Sequence, residues 1–314
     1  MAEDGSRVRR PVLQLTYSVT TNNQSTPWRP ARIMVATDLS LISGKALNYA
    51  AGLARHFDSL IYLTHVLTNP DDSAGLGGGA DANQERREDA GRKSSEILKS
   101  GQMDGVRNTV LLEEGFLFET LEALGRKYEI DLVVIGTHGR KVVKKEFLGS
   151  WAELIFRHAD CPVMTVGPAC AEESSGEVKF TKILLATDFG RASGRATPYA
   201  CSLAREYGAE LTLLNVIKVT SNYSEREWAV LKETTRIRLI ESLPPEMEQK
   251  CAPEYVVRCG DSALEILNVA RSKKVDLIVM GARLGKNLVA HLPEPIAYTV
   301  AAEAPCPVLT VGAY

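Results

Sequence analysis

The chain has 314 residues, beyond the ordinary ~100–200 of one domain, so two domains are expected. An apolar share of 45%, a mean hydropathy of −0.09 and a net charge of −2 fit a globular protein with two cores. They carry no basic excess for nucleic acid, and no stretch reaches the ~18 apolar residues of a membrane span.

The N-terminal extension, residues 1–30, is polar except where Leu13, Leu15, Tyr17 and Val19 alternate with polar residues. That stretch reads either as an added edge strand or as a tail. Arg7, Arg9 and Arg10 are followed by Pro11 and only a short apolar run, which does not read as a secretion signal, so a cytoplasmic chain is expected. Short, nearly continuous apolar runs follow at 33–36, 60–66, 109–113, 132–136 and 163–166, as strands buried on both faces require. Between them, Ala46, Leu47, Ala50, Leu53, Ala54 and Phe57 recur at helical spacing, as do Phe118, Leu121, Leu124 and Tyr128. Residues 83–100 predict an exposed, charged helix, and the glycines of 75–79 a linker-like loop. The second half predicts strands near 182–187, 210–217, 254–259, 276–281 and 307–311. Its helices are expected near 191–206, 224–243, 261–273 and 294–303. Alternating strand and helix implies doubly wound parallel sheets with right-handed crossovers.

The two halves repeat. Ile33-Met34-Val35-Ala36-Thr37-Asp38 matches Ile183-Leu184-Leu185-Ala186-Thr187-Asp188 at an offset of 150. The run from Asp131 to Gly136 matches that from Asp276 to Gly281, and Cys161 to Gly167 matches Cys306 to Gly312, both at an offset of 145. Three ordered matches describe a duplicated domain rather than a short-period solenoid. Six cysteines lie in no CxxC pair and no zinc-like spacing, so buried thiols are expected and no metal site is read.

In copy one the fourth strand runs into Gly136-Thr137-His138-Gly139 and, past Arg140, Lys141, Lys144 and Lys145, into Gly149-Ser150: G-x2-G-x9-G-S. Glycines admit close approach of backbone N–H groups, and Ser150 precedes a helical run whose N-terminus favours phosphate. This pattern resembles the ATP-binding signature of the universal stress protein family. Asp38, the Asp-Leu-Val-Val-Ile-Gly strand and the Cys-Pro-Val final strand resemble that family as well. The resemblance covers both halves, 31–167 and 181–314, joined by a linker at 168–180. It implies two tandem Rossmann-like (adenine nucleotide alpha hydrolase-like) five-stranded sheets of order 3-2-1-4-5, with ligand at the switch point between strands one and four.

Carried over by position, the resemblance implies that Ala36, Thr37 and Asp38 line the adenosine. It implies that the backbone of Val66 reads the adenine. Ile135, Gly136, His138 and Gly139, with Arg140 beside them, take the ribose and α-phosphate side, and Gly149, Ser150, Trp151 and Ala152 the outer phosphates. Trp151 departs from the small aliphatic residue usual there, and either shields or crowds the site. Other readings stand beside these. Asp38 is placed to cap the following helix, Ser150 and Glu153 form a capping-box pattern, and His65 and His138 read first as structural.

The expected function is that of a stress-response or signalling switch binding ATP or a related adenine nucleotide, with Mg²⁺ on the phosphates. The alternative is an interaction or scaffold protein of the same fold that does not use nucleotide. No catalytic residue is assigned: Gly281-Ala282-Arg283-Leu284-Gly285-Lys286-Asn287 is one residue short of a Walker loop, and at most slow ATP hydrolysis is expected. Copy two keeps Asp188, Val216 and Gly281 but has Leu284, Glu294 and Pro295 where copy one has Gly139, Gly149 and Ser150, so it is expected to bind ATP weakly or not at all. The apolar last strands, 163–166 and 308–311, are expected to join the copies as an intramolecular pseudo-dimer. A homodimer through last-strand edges and an unknown protein partner are expected in addition.

Overall fold

A computed structural model describes residues 27–39, 41–68, 80–137, 155, 159–171, 176–218, 223–246, 251–282 and 296–312. Copy one comprises β1 (Arg32–Ala36), α1 (Leu41–Phe57), β2 (Leu60–Leu67), α2 (Ala80–Lys99), β3 (Arg107–Glu114), α3 (Leu117–Lys127), β4 (Leu132–Gly136) and β5 (Val163–Val166). Copy two comprises β6 (Lys182–Ala186), α4 (Arg191–Tyr207), β7 (Glu210–Ile217), α5 (Glu225–Glu241), β8 (Glu254–Cys259), α6 (Ser262–Lys273), β9 (Leu277–Ala282), α7 (Ile296–Glu303) and β10 (Val308–Gly312). The alternating stretch at 12–19 and the glycine run 75–79 lie outside the described residues.

The strands form one ten-stranded sheet in the order β3-β2-β1-β4-β5-β10-β9-β6-β7-β8. Each half has the order 3-2-1-4-5 and is parallel throughout; the halves join where β5 and β10 run antiparallel. Met164 faces Leu309 at this seam, and the flanking pairs are Val308 with Thr165 and Thr310 with Val163. The Thr165 hydroxyl donates to the Val308 carbonyl at 3.3 Å and that of Thr310 to the Val163 carbonyl at 3.1 Å, a reciprocal pair about a local two-fold. The seam corrects one expectation. Both last-strand edges are already paired within the chain, so no second copy can be added to them.

Alternation along each strand splits the core between two faces. Ile33 and Val35 lie in a cluster with residues of α1, α4 and α5, and Met34 and Ala36 in one with residues of α3, α6 and α7. Each cluster includes side chains of both copies, so the halves share their packing on both faces. The segment expected as a linker is built in: Val178 and Phe180 are buried, and a Cβ on Gly52 of α1 would stand 2.3 Å from the Val178 side chain. The end of the N-terminal extension also crosses to copy two, where Trp28 meets Tyr199 edge to face with centroids 5.1 Å apart and Arg29 pairs with Glu206.

Duplication extends to the backbone. Left-handed residues recur at matching places: Leu39 and Phe189, Asp58 and Gly208, Gly115 and Gly260, Glu129 and Lys274. Asp131 accepts hydrogen bonds from the N–H groups of Ala31 and Arg32, and Asp276 from those of Thr181 and Lys182. These two aspartates, read in the sequence only as marks of the repeat, staple the start of each first strand to the start of its neighbour.

Candidate functional site

The ends of β1 and β4 meet where the strand order of copy one reverses, with Ala36 in register with Ile135. Ala36, Thr37, Val66 and Ile135 are buried, so chiefly their backbone is available at these strand ends; Asp38 and Gly136 are half-buried. The structure thus brings together six of the expected site residues: Ala36, Thr37, Asp38, Val66, Ile135 and Gly136. His138, Gly139, Arg140, Gly149, Ser150, Trp151 and Ala152 lie outside the described residues.

The turn after β1 is tightly specified. The Thr37 N–H donates to the Thr64 carbonyl at 3.0 Å, and the Leu39 N–H to the Thr37 hydroxyl at 2.9 Å. Leu39 sits at φ +58°, a left-handed conformation that costs a side-chain-bearing residue about 1–2 kcal/mol. Strain of this kind persists only where surrounding contacts over-determine it. One such contact is His65 on β2, whose Nδ1 lies 2.7 Å from the Thr37 carbonyl. A carbonyl only accepts, so the hydrogen sits on Nδ1.

Copy two shows the same turn. Phe189 has φ +59°, and its N–H donates to the Thr187 hydroxyl at 3.0 Å. The Asp188 carboxylate accepts from the Gly190 N–H at 2.8 Å and the Ser193 hydroxyl at 2.7 Å, tying it to the first turn of α4. The Arg238 guanidinium stacks 4.3 Å from the centre of the Phe189 ring and covers this turn from α5.

Gly281 alters the reading of the shared strand-four glycine. A Cβ there would fall 2.3 Å from backbone atoms of both Ala192 and Ser193. Helix α4 therefore packs its first turn directly on β9, and the glycine is required with no phosphate present. Sequence reasoning missed this packing role and the His65 contact. Overlaying the copies holds a signal for the contact, because His65 falls on Asn215, a polar residue in both halves amid apolar strand positions.

Among the described residues no group of three His, Cys, Asp or Glu side chains could hold a metal, and no helix is long and apolar enough to cross a membrane. Among these residues no cysteine forms a disulfide. Burial pushes the thiols of Cys161 and Cys201 up to about 12 and that of Cys170 to about 11, so they are poor nucleophiles and poor metal ligands.

The family model of the universal stress proteins matches the chain twice, at residues 31–167 and 179–312. A universal stress protein of Methanocaldococcus jannaschii is 29% identical over 140 residues, 43% of this chain and 81% of that protein. The universal stress protein YxiE of Bacillus subtilis is 32% identical over 147 residues, 42% of this chain and 99% of its own length. Among solved structures, a universal stress protein from Archaeoglobus fulgidus superposes with a TM-score of 0.62 at 19% identity, covering 91% of this chain and 99% of that one. A putative universal stress protein from Pseudomonas aeruginosa gives 0.57 at 21% identity, covering 90% and 93%. These two structures share the fold over both halves, and the double match to the family model shows that the chain belongs to the universal stress protein family.

Proposed function

We propose that copy one binds an adenine nucleotide, ATP with Mg²⁺ on its phosphates, and that occupancy switches the chain's contacts in a cytoplasmic stress response. The observation that carries this reading is the strand order of copy one. The ends of β1 and β4 meet at a topological switch point, and β4 leads directly into the G-x2-G-x9-G-S segment. The donor set fits the ligand. Asp38 offers a carboxylate for hydroxyl or amine donors, and the glycine segment offers backbone N–H groups with four nearby cations. Mg²⁺ would be held mainly by the phosphates and water, its usual manner. No residue is given a catalytic role; the site is read as a binding switch.

Transplanting copy two's residues tests the assignment. Gly149→Glu and Ser150→Pro place in copy one the residues that copy two carries. Each removes or opposes phosphate contacts worth roughly 1.5–3 kcal/mol apiece. In calorimetric titration, ATP affinity should fall by about 10²-fold or more in the double variant. Unchanged affinity would move the site elsewhere.

A second reading rests on α5. Its buried stripe carries Thr235 and Leu239, yet Val230 and Ile237 on another face are 63% and 47% exposed. Its counterpart α2 is predominantly polar and charged. That difference favours copy two as the face that meets a protein partner, whether or not nucleotide is used.

A further inference from the structure

We propose that His65 is the positioning residue of the copy-one site. It donates from Nδ1 to the Thr37 carbonyl and so holds the left-handed turn that aims Asp38. The proposal rests on the nucleotide reading for its ligand but not for its geometry. The Thr37 carbonyl closes a turn whose next residues are Asp38 and the strained Leu39. His65 reaches it from the neighbouring strand at 2.7 Å, beside the ladder bond from the Thr37 N–H to Thr64. The turn is thus pinned to β2 by a backbone and a side-chain hydrogen bond one residue apart.

Copy two supplies an internal control. Asn215 stands at the matching position, and its Nδ2 donates to the Thr187 carbonyl at 2.8 Å. Two chemically different donors therefore serve the same carbonyl of the same turn, where Leu39 and Phe189 keep φ values within a degree of each other. The shared requirement is one N–H at one point. Imidazole chemistry is not needed for it, which sets His65 apart from a general base.

The test uses the full chain with His65→Asn and His65→Leu. By hydrogen–deuterium exchange, residues 37–47 should lose protection in His65→Leu and keep it in His65→Asn, while residues 187–197 stay unchanged in both. By calorimetry with ATP, His65→Leu should bind about three- to tenfold more weakly, the effect of one lost hydrogen bond, and His65→Asn within about twofold of wild type. Wild-type protection of 37–47 in the leucine variant, or an asparagine variant as exposed as the leucine one, would overturn the proposal. If the wild-type chain takes up no ATP, the nucleotide reading falls, and the exchange comparison alone decides the positioning role. Should His65→Leu fail to fold, Asn215→His decides it. Retained protection at 187–197 supports the interchangeable donor, and lost protection refutes it.

Discussion

Gly281→Ala should destabilise copy two with no ligand present. The added Cβ would lie 2.3 Å from the Ala192 carbonyl carbon and the Ser193 nitrogen, where ordinary contacts begin at 3.4 Å. Strand β9 and helix α4 would have to separate by about 1 Å. The obstructing atoms are backbone, so no side-chain rotation relieves the clash. Overpacking of this kind costs about 1–3 kcal/mol, and the rigid neighbours place this site at the upper end. Gly194→Ala is the control. It lies inside α4 with nothing within 4 Å of a Cβ, and should stabilise by about 0.4–1 kcal/mol through the unfolded chain and helix propensity. Urea unfolding followed by circular dichroism at constant slope should show the Gly281→Ala midpoint falling by roughly 1 M and the control's midpoint rising. A Gly281→Ala midpoint equal to wild type would refute the packing account. Gly136 holds the matching place in copy one, so its substitution should likewise lower stability, which makes it a poor probe of ligand contact.

The seam carries a second expectation: Leu309→Ala, at a fully buried side chain opposite Met164, should cost about 2–5 kcal/mol in urea unfolding. At the exposed edge, Arg29→Ala removes a pair to Glu206 and should cost no more than about 1 kcal/mol by the same measurement. The thiols set a pH dependence. Folding raises Cys161, Cys170 and Cys201 from 9.0 to about 12, 11 and 12, so their neutral forms favour the fold. That contribution is fully present below pH 9 and is lost as pH rises through about 11–12. Unfolding midpoints should decline over this window, less so in a Cys201→Ala variant compared with its own neutral-pH value.

The central strands were legible because burial on both faces writes them as continuous apolar runs, as at Ile33–Ala36 and Leu277–Met280. The duplication was legible in residue identities and reappears in the backbone, down to Leu39 and Phe189. The seam followed from two apolar last strands, but those same strands misdirected the homodimer expectation, since one edge cannot serve two partners. What stayed hidden were contacts between residues far apart in the chain. The bond from His65 to Thr37 depends on strand register, and the closeness of Gly281 to Ala192 on the approach of a helix to a sheet. Neither leaves a spacing pattern. The glycine shared by both copies was therefore read for phosphate, although packing alone demands it in copy two.

The central claim is that one nucleotide binds per chain, in copy one. The direct measurement is the stoichiometry of ATP binding by calorimetry on the wild-type chain, Asp38→Ala and Asp188→Ala. Asp188 bonds Gly190 and Ser193, so its loss should also loosen the first turn of α4. The account predicts about one ATP per wild-type chain, abolished in Asp38→Ala and retained in Asp188→Ala. Two equivalent sites, or binding lost only in Asp188→Ala, would contradict it.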